Sequence, residues 1–241
     1  MFLPRLYVLT LIFAPAAYVH AAPITFFGED LNGNPNARIA FPNSQAARSS
    51  FVSQLPAFAV DNFEEFANGV GLPLTLTFAG ATSATLDGPA GFIQTLSSGT
   101  NGFGRFPISG NNYLETDAAA LTLTFAAPVT SFGFFATDIG DFGGQLSLVF
   151  AGARRVTETV PHSLGTGARS PQDGSVLFFG YMDAANPFTS VQFSDSASSD
   201  TFGLDDAVVG VGRSTAAPEP VSLTLLGTGL LGLAIARRRI G

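Results

Sequence analysis

Two stretches of this chain carry the pattern of a strand with one dry face and one wet face. Leu72-Pro73-Leu74-Thr75-Leu76-Thr77-Phe78 and Ala120-Leu121-Thr122-Leu123-Thr124-Phe125 alternate apolar residues with threonine at period two. Successive side chains of a strand point to opposite faces, so this spacing gathers the leucines on one side and the threonines on the other. Further strands are predicted at 24–27, 57–66, 83–86, 92–96, 131–137, 145–150, 154–160, 175–181, 189–193 and 202–211. Turn chemistry separates them: Asn32-Gly33, Asp87-Gly88-Pro89, Asn101-Gly102, Ser109-Gly110-Asn111-Asn112, Asp173-Gly174 and Asn186-Pro187. Many short strands at such spacing predict an all-β body, a β-sandwich or jelly roll. One short helix is expected at 44–55, with Asn43 or Ser44 as cap and Pro56 as stop. Ser49 and Ser50 are weak helix formers, so an irregular loop is the alternative there.

The chain has no cysteine and 24 phenylalanines among 241 residues. No disulfide framework or zinc-thiolate site is possible, so stability must come from burial. The body at 22–211 is long enough for one domain with a substantial core, and no fixed period suggests a solenoid. Setting aside the two ends, 7 arginines face 17 acids and lysine is absent. Such a surface repels nucleic acid, which requires clustered basic residues, and it attracts divalent cations.

Both ends read as export signals. Residues 1–5 carry one arginine, 6–19 are apolar, and Val19-His20-Ala21 places small residues for cleavage after Ala21. This is the pattern of a secretory signal peptide at 1–21. At the other end, a small-residue linker at 212–217 leads into Pro218-Glu219-Pro220. An uncharged run follows at 221–236, then Arg237, Arg238 and Arg239. As a helix the run would rise about 24 Å, against roughly 30 Å of hydrocarbon. That is short for a permanent anchor and adequate for a transient one. The arginines would stay on the cytoplasmic side.

Proline-glutamate-proline, apolar span and basic end, in that order at 218–241, resemble the PEP-CTERM sorting signal of exported bacterial proteins. The resemblance implies export across the inner membrane and transient anchoring by the C-terminal helix. Processing near Glu219 by an exosortase-type enzyme would follow, with transfer to the cell surface or release, in a setting of exopolysaccharide and biofilm.

Within the body, Leu204-Asp205-Asp206 on a regular strand would send one carboxylate towards the core, where burial without a partner costs several kcal/mol. A cation or several hydrogen-bond donors must meet it. Its natural companion is the acidic Asp61-Asn62-Phe63-Glu64-Glu65-Phe66. Phe63-Glu64 together with Leu204-Asp205-Asp206 is similar to extracellular jelly-roll modules, among them MAM domains and some carbohydrate-binding modules. In those, an early Phe-Glu strand and a late Leu-Asp-Asp strand lie side by side, and calcium can sit between them. The resemblance implies a structural calcium held by Glu64, Asp205 and Asp206; a hydrogen-bonded acid pair without metal, or a catalytic pair, are the alternatives.

Other features are weaker. Asp138-Ile139-Gly140-Asp141 reads as a solvated turn or as the lining of a loop-end ligand site. His162 sits in a Pro-His-Ser-Leu-Gly loop expected to be exposed, and there is no Gly-x-Ser-x-Gly elbow. Arg154 and Arg155 face opposite ways, so at least one should pair with a surface acid. Tyr113 and Tyr181 could stack on sugar rings. The glycines at 99–104 lack the lysine of a phosphate loop. Together these features predict an exported, non-catalytic surface or matrix protein, structural or adhesive towards extracellular polysaccharide. A calcium-dependent carbohydrate-binding module is the alternative, and a polysaccharide hydrolase the third.

Overall fold

Two facing antiparallel sheets carry the body. The computed structural model describes residues 22–117, 120–167, 169–197 and 200–211. The leader with Ala21, the linker, Pro218, Glu219, Pro220 and Arg237, Arg238, Arg239 therefore lie outside the described residues. Among the described residues, no helix is long and apolar enough to cross a membrane.

The elements in chain order are β1 (Ile24–Asp30), α1 (Pro42–Ser53), β2 (Ala57–Asp61), β3 (Leu74–Phe78), β4 (Thr82–Asp87), β5 (Phe92–Thr95) and β6 (Asn112–Thr116). There follow β7 (Thr122–Val129), β8 (Ser131–Thr137), β9 (Leu146–Gly152), β10 (Arg155–Thr159), β11 (Val176–Met182), β12 (Phe188–Asp195) and β13 (Phe202–Val211). One sheet runs β1-β11-β8-β13-β6-β5, with β2 also paired to β13; the other runs β10-β9-β12-β7-β4-β3.

The second sheet behaves as its alternation requires. Leu74, Leu76 and Phe78 are buried while Thr75 and Thr77 are exposed, and Leu123 and Phe125 of β7 point into the same layer. The first sheet does not alternate, because both of its faces are covered. On β11, Leu177, Phe179 and Tyr181 join the inter-sheet core, whereas Val176, Phe178 and Met182 pack beneath α1. Phe51 of α1 is fully buried there, edge-on to Phe26 at 5.4 Å. It seats over Gly133 and Gly180, which face each other across β8 and β11. A Cβ on Gly180 would lie 2.7 Å from the Phe51 ring, so the notch exists only because both strands carry glycine there.

The helix starts earlier than the sequence predicts, at Pro42, whose missing N–H costs nothing in a first turn. The expected side-chain cap is not made. Asp30 at the end of β1 does that work from outside: it accepts the N–H groups of Asn43 (3.2 Å) and Ser44 (2.9 Å) and the Ser44 hydroxyl (2.8 Å). Strand β2 stops at Asp61 rather than at residue 66, since Phe63 turns with φ +60° and Glu64 lies beyond the strand. Strand β6 escapes sequence reasoning because five mixed residues after a Gly-Asn-Asn turn carry no period.

A bulge reshapes β13. Its register with β8 shifts between Asp205 and Val208, and Asp206 adopts φ +48°. Leu204, Ala207 and Val209 consequently all join the inter-sheet core. Strict alternation would have placed Leu204 and Ala207 on opposite faces. One of the two acids does point inward: Asp205 is 2% exposed and is met by N–H donors, while the bulge turns Asp206 to the Ser109 hydroxyl.

Candidate functional site

Glu64, Asp205 and Asp206 all grip one segment of chain, residues 108–112. Asp205 Oδ2 accepts the N–H groups of Ile108 (2.7 Å) and Ser109 (3.1 Å), and its Oδ1 accepts the N–H of Asp206 (2.6 Å). Asp206 Oδ1 accepts the Ser109 hydroxyl at 2.6 Å. Glu64 Oε1 accepts the N–H groups of Asn111 (2.7 Å) and Asn112 (2.6 Å). Burial, and then the neighbouring Asp206, push the Asp205 carboxyl well above the usual carboxylate range. Hydrogen-bond donors thus meet these acids, and their ligand atoms form no metal-holding set among the described residues. The calcium arrangement implied by the jelly-roll resemblance does not fit this geometry, because the oxygens of Glu64, Asp205 and Asp206 do not converge within reach of one ion.

A different set of acids converges at one end of the sandwich. Asp138 follows β8, Asp141 lies in the next turn, and Asp173 precedes β11. One carboxylate oxygen from each lies within 4.8 Å of the others. The local sequence explains the turn. Asp138 takes φ +64° and Gly140 φ +87°, left-handed positions that suit aspartate and glycine. Gly104 presses against the Asp138 carboxylate so closely that no Cβ would fit. Asp138 Oδ1 accepts the N–H of Gly174 at 2.8 Å, and its Oδ2 accepts Nη1 of Arg105 at 3.1 Å. Arg105 Nη1 also donates to the Thr201 carbonyl at 2.8 Å, and Nε lies 3.4 Å from Glu115.

Asp138, Asp141, Asp173 and Arg105 line an open cleft of about 200 Å³, with Phe103, Phe142 and Arg169 also at its wall. Phe103 is 67% exposed and Phe142 51% exposed. The Arg105 guanidinium lies 5.5 Å from the centre of the Phe103 ring. Burial raises the carboxyls of Asp138 and of adjacent Asp200 to about 8 and lifts Asp141 as well, against hydrogen bonds that pull each of them down. The solvated-turn reading of 138–141 is thereby corrected: Asp138, Ile139 and Asp141 are buried.

Other expectations shift too. His162 is buried, not exposed. The N–H of Leu146 donates to its Nε2 at 3.0 Å, so Nδ1 carries the proton towards the Ser163 carbonyl at 3.1 Å. Burial lowers the His162 pKa and keeps this tautomer neutral. Arg155 donates to Gln192 at 3.4 Å rather than to an acid; both ion pairs found among the described residues are made by Arg105. Tyr113 and Tyr181 are fully buried, and the rings exposed at this cleft are Phe103 and Phe142. Their signal was legible: each stands in a glycine-rich turn (Gly-Phe-Gly and Asp-Phe-Gly-Gly), off any strand and without a sheet face to bury it.

No protein-family model matches the chain, and no curated protein matches it. Among solved structures it is similar to the K2 cleaved adhesin domain of Lys-gingipain, at 15% identity over 65% of this chain and 99% of that one, TM-score 0.40. It is similar to a variant of a family 29 carbohydrate-binding module at 16% identity, over 65% and 93% of the two chains, TM-score 0.30. Similarity to the CBM22-1–GH10 modules of a Clostridium thermocellum endo-1,4-β-D-xylanase is 9%, over 67% of this chain and 30% of that one, TM-score 0.34.

Proposed function

We propose that this is an exported, non-catalytic surface protein, sorted through its C-terminal signal, whose sandwich adheres to extracellular polysaccharide through the loop-end cleft. The observation that carries the reading is the cleft itself. Two exposed phenyl rings offer faces to the apolar side of a sugar ring, and carboxylates and guanidinium groups beside them match its hydroxyls. The terminal segments add the route: the leader at 1–21 takes the chain across the inner membrane. The tail at 218–241 then holds it there until an exosortase-type enzyme acts near Glu219.

Two measurements on the full chain test this. Phe103→Ala is expected to weaken retention on the host's exopolysaccharide about tenfold, the effect of roughly 1.4 kcal/mol; unchanged retention removes the cleft from the reading. Replacing Pro218, Glu219 and Pro220 by alanine should leave export intact and trap unprocessed protein in the inner membrane. Protein of normal mature size in the medium would refute sorting through this motif.

A further inference from the structure

Asp141 at the cleft wall and the side chains packed behind it leave several buried polar oxygens without a partner. Asp141, 4% exposed, and Asp200, fully buried, meet side chain to side chain, and neither Oδ1 has an N–H or O–H donor among the described residues. Gln172, 6% exposed, has an orphaned Oε1, and Ser170 an orphaned Oγ. These last two crowd the Gly165 backbone next to the main-chain carbonyl of Asp141: a Cβ built on Gly165 would lie 2.7 Å from that carbonyl and 2.8 Å from Gln172 Oε1. Buried acceptors without donors are rare in folded proteins, because each forfeits its hydration without replacement. Four carboxylates (Asp138, Asp141, Asp173, Asp200) meet here, with Arg105 the one guanidinium paired to any of them among the described residues. The convergence of these oxygens points towards a cation as their ligand.

We propose that Asp138, Asp141 and Asp173 bind a calcium ion at the floor of this cleft. The donor set is all oxygen, which suits a hard cation and disfavours zinc or copper. Calcium fits better than magnesium, since it accepts irregular coordination and keeps fewer waters, whereas magnesium demands near-octahedral geometry. The cleft is open on one side, so water completes the shell. Glu64, Asp205 and Asp206 take no part, since their oxygens do not converge with this set. This inference stands apart from the saccharide reading: calcium is bound whether or not a glycan is present.

The test uses the full chain in detergent, freed of metal by dialysis against chelator. Calcium alone is titrated calorimetrically, and thermal unfolding is followed with and without it. The wild type should bind one calcium, and its Tm should rise by about 5–10 °C at a calcium concentration a hundredfold above Kd. Asp141→Asn should weaken binding at least tenfold and cut that rise to half or less, while Glu64→Gln should bind as the wild type does. The wild-type melt with and without chelator needs no variant, so it remains decisive even if Asp141→Asn folds poorly. Absence of binding heat together with an unchanged wild-type melt overturns the proposal, and means that Asp141 and Asp200 share a proton instead. Wild-type affinity in Asp141→Asn, or loss of binding in Glu64→Gln, overturns it as well.

Discussion

Removing the Asp205 carboxylate separates a hydrogen-bond clamp from a metal site. Three backbone N–H groups donate to it, those of Ile108, Ser109 and Asp206. Asp205→Ala orphans all three in a region that is buried or half-buried, where each lost partner costs about 1–3 kcal/mol. Taking the lower figure for each, since water reaches a part-opened segment, the loss is about 3 kcal/mol. For a domain of this size that corresponds to a Tm lower by about 6–12 °C. Asp205→Asn should behave differently. Its carbonyl oxygen can still receive Ile108 and Ser109, and only the Asp206 N–H meets a mismatched amide. The neutral amide also suits the burial that pushes the Asp205 carboxyl up, so a net change within about 1 kcal/mol is expected. Chemical denaturation of the two variants, in chelator and in calcium, provides the assay. Equal damage from Asn and Ala, or a deficit that calcium restores, would refute the clamp.

Two further expectations concern the scaffold. Gly180→Ala drives a Cβ into the Phe51 ring and should cost about 1–3 kcal/mol by overpacking; in a Phe51→Ala background, itself about 3–5 kcal/mol less stable, the same change should cost almost nothing. A double-mutant cycle that shows additivity would mean the glycine notch does not seat the ring. Metal-free protein should also lose stability as pH rises. Burial lifts Asp61 to about 6 and Asp138 and Asp200 to about 8, above the unfolded value near 4. Between those limits the folded state therefore holds more protons than the unfolded one, and unfolding free energy falls with increasing pH. His162, kept neutral by burial, acts in the opposite sense below about pH 6.5, so the decline in Tm should be clearest from pH 6.5 to 8. A flat or rising Tm across that interval would contradict the burial of these acids.

The strands announced themselves wherever one face was wet. Leu74, Leu76 and Phe78 alternate with threonine because the second sheet meets solvent on its outer side. The apolar runs of β8 and β11 gave their position but not their context, since a strand covered on both faces loses the period that says what covers it. The carboxylates were the harder case. Their number and sign were plain, and Phe63-Glu64 and Leu204-Asp205-Asp206 did come to one place. Yet a single bulge at Asp206 overrode the alternation that assigned their directions.

The amino-acid sequence by itself determined an acidic, cysteine-free, all-β body, because periodicity and composition are local properties. Tertiary structure alone decided which acids meet. Asp138, Asp141, Asp173 and Asp200 are separated by up to 62 positions, and only the pairing of β8 with β11 and β13 brings them to the same end of the sandwich. Contacts of that range depend on strand register, which no window of neighbouring residues encodes.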